Sequence, residues 1–205
     1  VAEFDTDAVP SAAPGISVQG TDGWFTCGPQ GMPGTDKPNM DTVPAMALFS
    51  AKKPLKRNVT WQYEGPVLAD FGHQLSRTYE CPDLFQLDGK TVAIGALMHY
   101  RDKQGRFQQV RWYVGDLKDT ADGPRLQVGN SDWCDFGTGY YATQSFAADD
   151  GRRIVFGWYT DFPAMRVEKP CIANGMMSLP RELHVRDGRL TSRPVKEAYE
   201  QLLGD

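Results

Sequence analysis

Residues 79–97 read Tyr-Glu-Cys-Pro-Asp-Leu-Phe-Gln-Leu-Asp-Gly-Lys-Thr-Val-Ala-Ile-Gly-Ala-Leu. An aromatic and polar segment is followed by Asp88-Gly89 and then by an apolar segment. Asp-Gly between two strand-like segments is a strong hairpin signal, because these residues accept the positive φ angles of a tight turn. The stretch therefore predicts a β-hairpin that turns at residues 88 and 89.

The same arrangement recurs along the chain. Residues 140–146 precede Asp150-Gly151, and Asp187-Gly188 also lies between two strand-like segments. Glycine (21) and proline (14) are plentiful, aromatic residues reach 11%, and long helical patterns are hard to find. These features are typical of an all-β chain. Strands enriched in aromatic or β-branched residues are predicted over residues 45–50, 60–63, 91–100, 108–116, 141–147, 153–159 and 176–184.

The spacing of the first two hairpins indicates a repeat. Asp88 and Asp150 are 62 positions apart, somewhat more than the roughly 40 to 50 residues of a common β-propeller blade. The chain then has room for about three blades, whereas closed propellers have roughly four to eight. Either the fold is not a propeller, or part of the propeller lies outside this chain.

The two ends of the chain differ from the middle. Residues 1–44 contain six prolines and many glycine, threonine and aspartate residues, so we expect a long irregular segment with one hairpin at most. Residues 194–203 begin with proline, have apolar residues at helical spacing and are followed by Gly204. They predict a short C-terminal helix. The strands are expected between these ends, over residues 45–193.

Composition excludes several functions. The 205 residues contain 22 Lys and Arg against 26 Asp and Glu, a net charge of -4, which argues against a general nucleic-acid partner. No apolar run approaches the roughly 18 residues of a membrane span, and the first residues lack the pattern of a signal peptide. There is no Cys-x-x-Cys pair and no histidine cluster. We therefore expect no membrane association and no metal.

The clearest candidate for chemistry is Glu80, which stands between Tyr79 and Cys81 and is followed by Pro82. Apolar neighbours disfavour the charged form of a carboxyl group, which is what a general acid needs. If only the residue types are considered, a structural role for Glu80, as a strand-edge carboxylate in a salt bridge, is more common than a catalytic one. The order of the residues in this segment adds further information.

Tyr79-Glu80-Cys81-Pro82-Asp83 resembles the hallmark of glycoside hydrolase family 32, the invertase, inulinase and levanase family. The resemblance covers residues 45–205. It implies a partial catalytic domain, the last three blades or so of a five-bladed β-propeller. Further segments match the family in its order: Trp61–Pro66, Tyr113–Asp116, Asp135–Gly137, Tyr140–Phe146, Arg152-Arg153 with Gly157-Trp158, and Leu179–Leu183.

The resemblance implies retaining hydrolysis or transfer of β-fructofuranosyl groups from sucrose, inulin or levan, with Glu80 as the acid/base and no cofactor. The family's nucleophile motif, similar to Trp-Met-Asn-Asp-Pro, and its Arg-Asp-Pro motif are absent. The nearest fragment, residues 38–41, has the wrong order. We therefore expect a companion segment with the first blades to supply the nucleophile, and we expect a secreted protein.

Five other residues are candidates for substrate binding. Cys81 and Asp83 belong to the same motif as Glu80, and Cys81 is expected to be a buried thiol that shapes the surroundings of that carboxylate. Strand alternation places Gln108 on one face, opposite its neighbour at 109. Tyr140 or Tyr141 resembles the family's aromatic residue at the funnel rim, where a ring stacks on a sugar, although a core position is equally compatible with either.

Two other functions stay open at this stage. A related propeller glycosidase would act on another sugar, such as an arabinoside, with a different carboxylate arrangement and an inverting outcome. A carbohydrate-binding or structural propeller piece would have lost the nucleophile. Asn-Asp-Pro and Arg-Asp-Pro motifs upstream of Val1 would favour the fructosidase over the non-catalytic alternative.

Overall fold

The computed structural model describes residues 17–19, 24–27, 44–51, 60–70, 72, 78–98, 100–106, 109–137, 139–160 and 175–203, the first two ranges by their backbone alone. This part of the chain is mostly β. Its elements are β1 Ser17–Gln19, β2 Trp24–Cys27, β3 Ala45–Ser50, β4 Gln62–Ala69, β5 Thr78–Leu87, β6 Lys90–Met98, β7 Val110–Thr120, β8 Gly123–Trp133, β9 Tyr140–Ala147, β10 Arg153–Tyr159, β11 Met176–Met177, β12 Arg181–Arg186, β13 Arg189–Pro194 and the helix α1 Lys196–Leu203.

The described strands form three antiparallel sheets. Sheet 1 has the order β1-β2-β3-β4 and sheet 2 the order β5-β6-β7-β8. In sheet 3, β9 pairs with one edge of β10, while β12 and the short β11 pair with its other edge, and β13 follows β12. The expected β architecture is confirmed in its coarse form: the described residues are mostly β and form several antiparallel sheets, with one short helix. The described residues include no helix long and apolar enough to cross a membrane.

The three Asp-Gly segments form hairpin turns as predicted. Asp88 and Gly89 have φ angles of 50° and 74°, and Asp187 and Gly188 have 51° and 70°, so both pairs form two-residue turns. Positive φ at both positions matches the right-handed twist of the flanking strands. The third turn is longer, with Ala148 donating to Arg152 across it at 2.8 Å.

Several predicted boundaries were wrong. The strand predicted over residues 108–116 continues to Thr120. The strand predicted over residues 60–63 continues to Ala69. The strand predicted over residues 176–184 is divided into β11 and β12, because Pro180 lies before β12 and has no N–H to donate. The helix begins at Lys196 rather than at residue 194, since Pro194 still pairs with Arg181 in sheet 3.

Sheet 2 lies between the other two sheets, with an apolar core on each side. Toward sheet 3 the core includes Ile94, Trp112 and Leu183, and toward sheet 1 it includes Met46 and Leu97. Every side chain of β6 from 91 to 97 is buried, since the strand contributes to both cores. Strand β5 contacts β1 on one side and β9 on the other, so the first strands of the three sheets are neighbours.

Candidate active site

Glu80 lies on β5, immediately before a β-bulge. Glu80 pairs with Ala96 and Asp83 pairs with Ile94, so Cys81 and Pro82 together oppose the single residue between them on β6. Cys81 has a φ angle of 48°, in the left-handed region that residues other than glycine rarely adopt. An extra residue of this kind bends the strand and changes the direction of nearby side chains.

The bulge places both carboxylates of the motif on the same face. Residues three positions apart on a regular strand point to opposite faces. Because one residue is extra, Glu80 and Asp83 both lie on the side of Ala96 and Ile94, which belong to the core between sheets 2 and 3. Both side chains therefore reach β9 of sheet 3.

Glu80 contacts Tyr141. The Tyr141 hydroxyl donates a hydrogen bond to Oε2 of Glu80. Glu80 is half-buried and Tyr141 is buried. Burial, followed by the hydrogen bond and the charge of Glu80, raises the pKa of Tyr141. The hydroxyl therefore keeps its proton and acts as a donor. A half-buried carboxyl group with one oxygen held in this way is suited to exchange a proton with a bound molecule.

Cys81 is half-buried beside Glu80 and forms no disulfide. Burial, with a smaller effect of the Glu80 charge, raises the pKa of Cys81 to about 11. The thiol therefore stays protonated at neutral pH, a state that suits neither a nucleophile nor a metal ligand. The described residues contain no group of three side chains suited to hold a metal ion.

Asp83 is 1% exposed and joins sheet 2 to sheet 3. Its Oδ2 accepts from the backbone N–H of Ser145 at 3.2 Å and from the Ser145 hydroxyl, and its Oδ1 lies 3.4 Å from Nη2 of Arg153. Burial lowers the pKa of Arg153, an effect that the Asp83 charge opposes. These contacts indicate that Asp83 anchors one strand to the other, and its contact with substrate stays a prediction.

The remaining predicted site residues have different positions. Tyr140 is buried, with the Arg181 guanidinium 4.5 Å from its ring centroid and the Tyr159 ring centroid at 5.6 Å. These contacts indicate a core residue, whereas Tyr141 contacts the catalytic candidate. Gln108 lies outside the described residues. Its neighbour Gln109 is buried and donates from Nε2 to the Gly137 carbonyl at 3.3 Å.

One group near Glu80 was missed by the sequence analysis. Tyr79 shares a hydrogen bond with the Tyr113 hydroxyl, which donates to Oδ2 of Asp70 at 2.5 Å. Burial is the main cause that raises the pKa of both tyrosines. This network attaches the start of β5 to the residue that follows β4. No sequence signal marked Asp70, since seven residues separate it from Thr78 and no motif includes it.

Comparisons with known proteins agree with this geometry. The profile "Glycosyl hydrolases family 32 N-terminal domain" matches residues 43–194. A glycoside hydrolase family 32 structure from Bifidobacterium adolescentis is 79% identical, with a TM-score of 0.77, and the match covers 96% of this chain and 31% of that chain. A Bombyx mori β-fructofuranosidase, 23% identical, shares the fold with a TM-score of 0.67 over 89% of this chain and 36% of its own.

Among curated relatives, the sucrose-6-phosphate hydrolase of Vibrio alginolyticus is 31% identical over 162 residues, which cover 75% of this chain and 31% of the relative. This chain therefore spans about a third of the length of that relative. The family profile covers most of the chain, and the motif around Glu80 lies inside the matched range. The chain belongs to glycosyl hydrolase family 32.

Proposed function

We propose that the three sheets are consecutive blades in the later part of a five-bladed β-propeller catalytic domain, with β1, β5 and β9 as the innermost strands. Support comes from the four-stranded antiparallel order of sheets 1 and 2 and from the contacts of β5 with β1 and β9. In this arrangement, Glu80 and the Tyr141 hydroxyl face the central funnel. The remaining blades belong to a companion segment outside this chain.

We infer that the complete protein hydrolyses β-fructofuranosides such as sucrose, inulin or levan, with retention of configuration. The observation that carries this inference is the half-buried Glu80 held at Oε2 by the Tyr141 hydroxyl. The relationship to a sucrose-6-phosphate hydrolase supports a fructoside as the substrate class.

In the first step, Glu80 donates its proton to the leaving oxygen as the bond to the anomeric carbon breaks. A carboxylate from the companion segment forms the bond to that carbon, which gives a covalent fructosyl-enzyme. In the second step, Glu80 removes a proton from water as the water attacks the anomeric carbon, the ester bond to the companion carboxylate breaks, and fructose leaves. The Tyr141 hydroxyl stabilises Glu80 whenever it is charged.

The nucleophile is expected to lie outside this chain. A retaining mechanism needs a second carboxyl group about 5 to 5.5 Å from the first, across the glycosidic bond. Asp83 does not suit this role, because it is buried and its oxygens contact Ser145 and Arg153. We therefore expect no turnover from the 205-residue chain alone.

The first test is Glu80→Gln in the full-length protein, assayed by fructose release from sucrose. Loss of a general acid typically lowers the rate by about 10²- to 10⁴-fold, and we expect a loss in that range. Fructosyl fluoride needs no protonation of its leaving group, so the variant should still form the fructosyl-enzyme, which intact-mass measurement detects. Glu200→Gln on the exposed surface of α1 is the matched control and should retain full activity.

Other outcomes support other functions. Full activity of Glu80→Gln would contradict the assignment of the acid/base. Binding of fructosides by the wild-type protein without any release would support a non-catalytic carbohydrate-binding role. Release of another sugar with inverted configuration would support the related propeller glycosidase.

A further inference from the structure

Strand β9 repeats the local structure of β5. Tyr141 pairs with Trp158 and Gln144 with Phe156, so Ala142 and Thr143 together oppose one residue of β10. Ala142 has a φ angle of 48°, the same value as the bulge residue of β5. Glu80 and Tyr141 are therefore equivalent positions, each directly before a left-handed residue, and they contact each other across the two sheets.

The residue opposite each bulge is glycine. Gly95 lies opposite the bulge of β5, and a Cβ there would be 2.8 Å from Cδ1 of Tyr79. Gly157 of β10 lies opposite the bulge of β9, and a Cβ there would be 2.2 Å from Cε2 of Tyr140. Real Cβ atoms do not approach so closely, so each tyrosine ring needs glycine beneath it. Each strand thus has the same three-residue order: a tyrosine, then the residue that forms the contact between the sheets, then a residue with positive φ. In each case a glycine on the neighbouring strand lies opposite the bulge.

The left-handed conformation is unfavourable for Ala142. It costs an alanine roughly 1 to 2 kcal/mol relative to the right-handed region, and alanine lacks the polar side chain with which Asn or Asp bonds its own backbone. A bulge changes the direction of the neighbouring side chain. The conformation at Ala142 therefore determines where the preceding Tyr141 points.

We propose that Ala142 and Gly157 are positioning residues for Glu80, because they form the bulge that holds the Tyr141 hydroxyl against Oε2 of Glu80. The proposal rests on the proposed function of Glu80 as the acid/base. Both residues act through Tyr141, whose hydroxyl donates to Glu80. In the described part of the chain, the titratable side chains that interact with Glu80 are Tyr141 and Cys81.

The test uses two changes that disturb the bulge from opposite strands of the full-length protein. Ala142→Val introduces a β-branched residue, which the left-handed region excludes more strongly than alanine. Gly157→Ala places a methyl group against the Tyr140 ring. Tyr141→Phe is the reference for loss of the hydroxyl. Ala142→Asn is the conservative variant, because asparagine accepts a left-handed φ.

The readout is kcat and KM for sucrose, measured separately, together with the ¹³C chemical shift of the Glu80 carboxyl group, assigned by the absence of its signal in Glu80→Gln. A hydrogen bond to a charged carboxylate is stronger than a neutral one, and its loss alters the chemical shift of the carboxyl carbon. We expect Tyr141→Phe, Ala142→Val and Gly157→Ala to show the same changed ¹³C shift and a kcat lowered by about tenfold with KM little changed, while Ala142→Asn keeps the wild-type values.

Folded Ala142→Val and Gly157→Ala proteins with the wild-type kcat and the wild-type ¹³C shift of Glu80 would overturn the proposal. If one of these variants does not fold, the other decides, because the two act on different strands. The ¹³C measurement does not depend on turnover. A changed ¹³C chemical shift of Glu80 combined with full activity of Glu80→Gln would therefore contradict the proposed function and leave the positioning inference intact.

Discussion

Two carboxylates on β5, Glu80 and Asp83, point to the same side and both contact β9, yet their surroundings differ. Glu80 is half-buried and accepts a hydrogen bond from the Tyr141 hydroxyl. Asp83 is 1% exposed and contacts both the Ser145 backbone and the Arg153 guanidinium. The contact of Glu80 with Tyr141 joins sheets 2 and 3 at a half-buried position. The contacts of Asp83 join the same two sheets at a buried position.

The difference shows that the type of residue and the face of the strand do not determine what a carboxylate does. A buried carboxylate paired with arginine and held by backbone and hydroxyl donors is stabilised in its charged form and has no access to a substrate. A half-buried carboxylate with a tyrosine donor can change its protonation state during a reaction. We therefore expect Asp83 to contribute to stability and Glu80 to activity.

The largest effect on stability is expected for Asp83→Asn. The change leaves the half-buried Arg153 guanidinium without its counter-charge. Loss of one partner of a fully buried ion pair costs roughly 3 to 5 kcal/mol, and a half-buried partner places this pair at the lower end of that range. We expect the free energy of unfolding to fall by about 3 kcal/mol in a urea titration of the full-length protein. Glu80→Gln is the matched comparison and should change that free energy by less than about 1 kcal/mol.

Equal losses of stability in the two variants would remove the distinction between the two carboxylates. A second check is Arg153→Met, which removes the cation and leaves Asp83 with its hydrogen bonds from Ser145 but without this counter-charge. It should also destabilise the protein, because a buried carboxylate that loses its cation is an uncompensated charge. A stable Arg153→Met protein would contradict the anchoring role of Asp83.

Part of the fold could be predicted from local sequence signals. Asp-Gly pairs fix their turns through the φ angles that these two residues accept, so the hairpins at 88–89 and 187–188 were predicted correctly. Strand β8 was not predicted, although Asp122-Gly123 begins it. Strand β8 contains Pro124 and has few apolar residues, because most of the strand is not buried. It therefore lacks the apolar pattern by which the other strands were predicted.

The candidate site could be predicted only as far as the motif extends. Glu80 was identified from its neighbours in sequence, and β5 and β9 were recognised as similar segments. The partners of Asp83 were not predicted, because Ser145 and Arg153 lie 62 and 70 positions away. The bulges also change the alternation of side chains, so a regular strand pattern could not show that Glu80 and Asp83 share a face.

A smaller effect of opposite sign is expected for Thr143→Val, in the bulge of β9. Thr143 is buried beside a cavity of about 200 Å³ between sheets 2 and 3, and its Oγ1 finds no hydrogen-bond partner among the described residues. The equivalent position in β5 is the apolar Pro82. Replacement of an unsatisfied buried hydroxyl by a methyl group of similar size should stabilise the protein by about 1 kcal/mol.

The measurement is again the free energy of unfolding, with Thr143→Ser as the matched control. Serine keeps the hydroxyl and loses the buried methyl group, so it should destabilise the protein by about 1 kcal/mol. A loss of stability in Thr143→Val would mean that the hydroxyl has a partner, and the bulges of β5 and β9 would then differ in their need for a polar residue.

The smallest effect is expected for Glu197→Gln, which extends the comparison to an exposed carboxylate. Glu197 accepts from Nη1 and Nη2 of Arg152 at 3.0 and 2.7 Å. The hydrogen bond from Arg152 is the largest cause that lowers the pKa of Glu197 to about 2. The pair is open to solvent, which screens its charges. We expect the Tm of the variant at neutral pH to lie only slightly below that of the wild type, by much less than for Asp83→Asn.

The sign of any remaining effect follows from the lowered pKa. A carboxylate with a lower pKa in the folded state contributes its stability above its unfolded pKa and loses it as the pH falls toward the folded value. A difference in Tm between wild type and Glu197→Gln should therefore be present at about pH 7 and vanish near pH 2, and added salt should reduce it. A loss as large as that of Asp83→Asn would mean that the number of hydrogen bonds, rather than burial, decides how much a carboxylate of this protein contributes to stability.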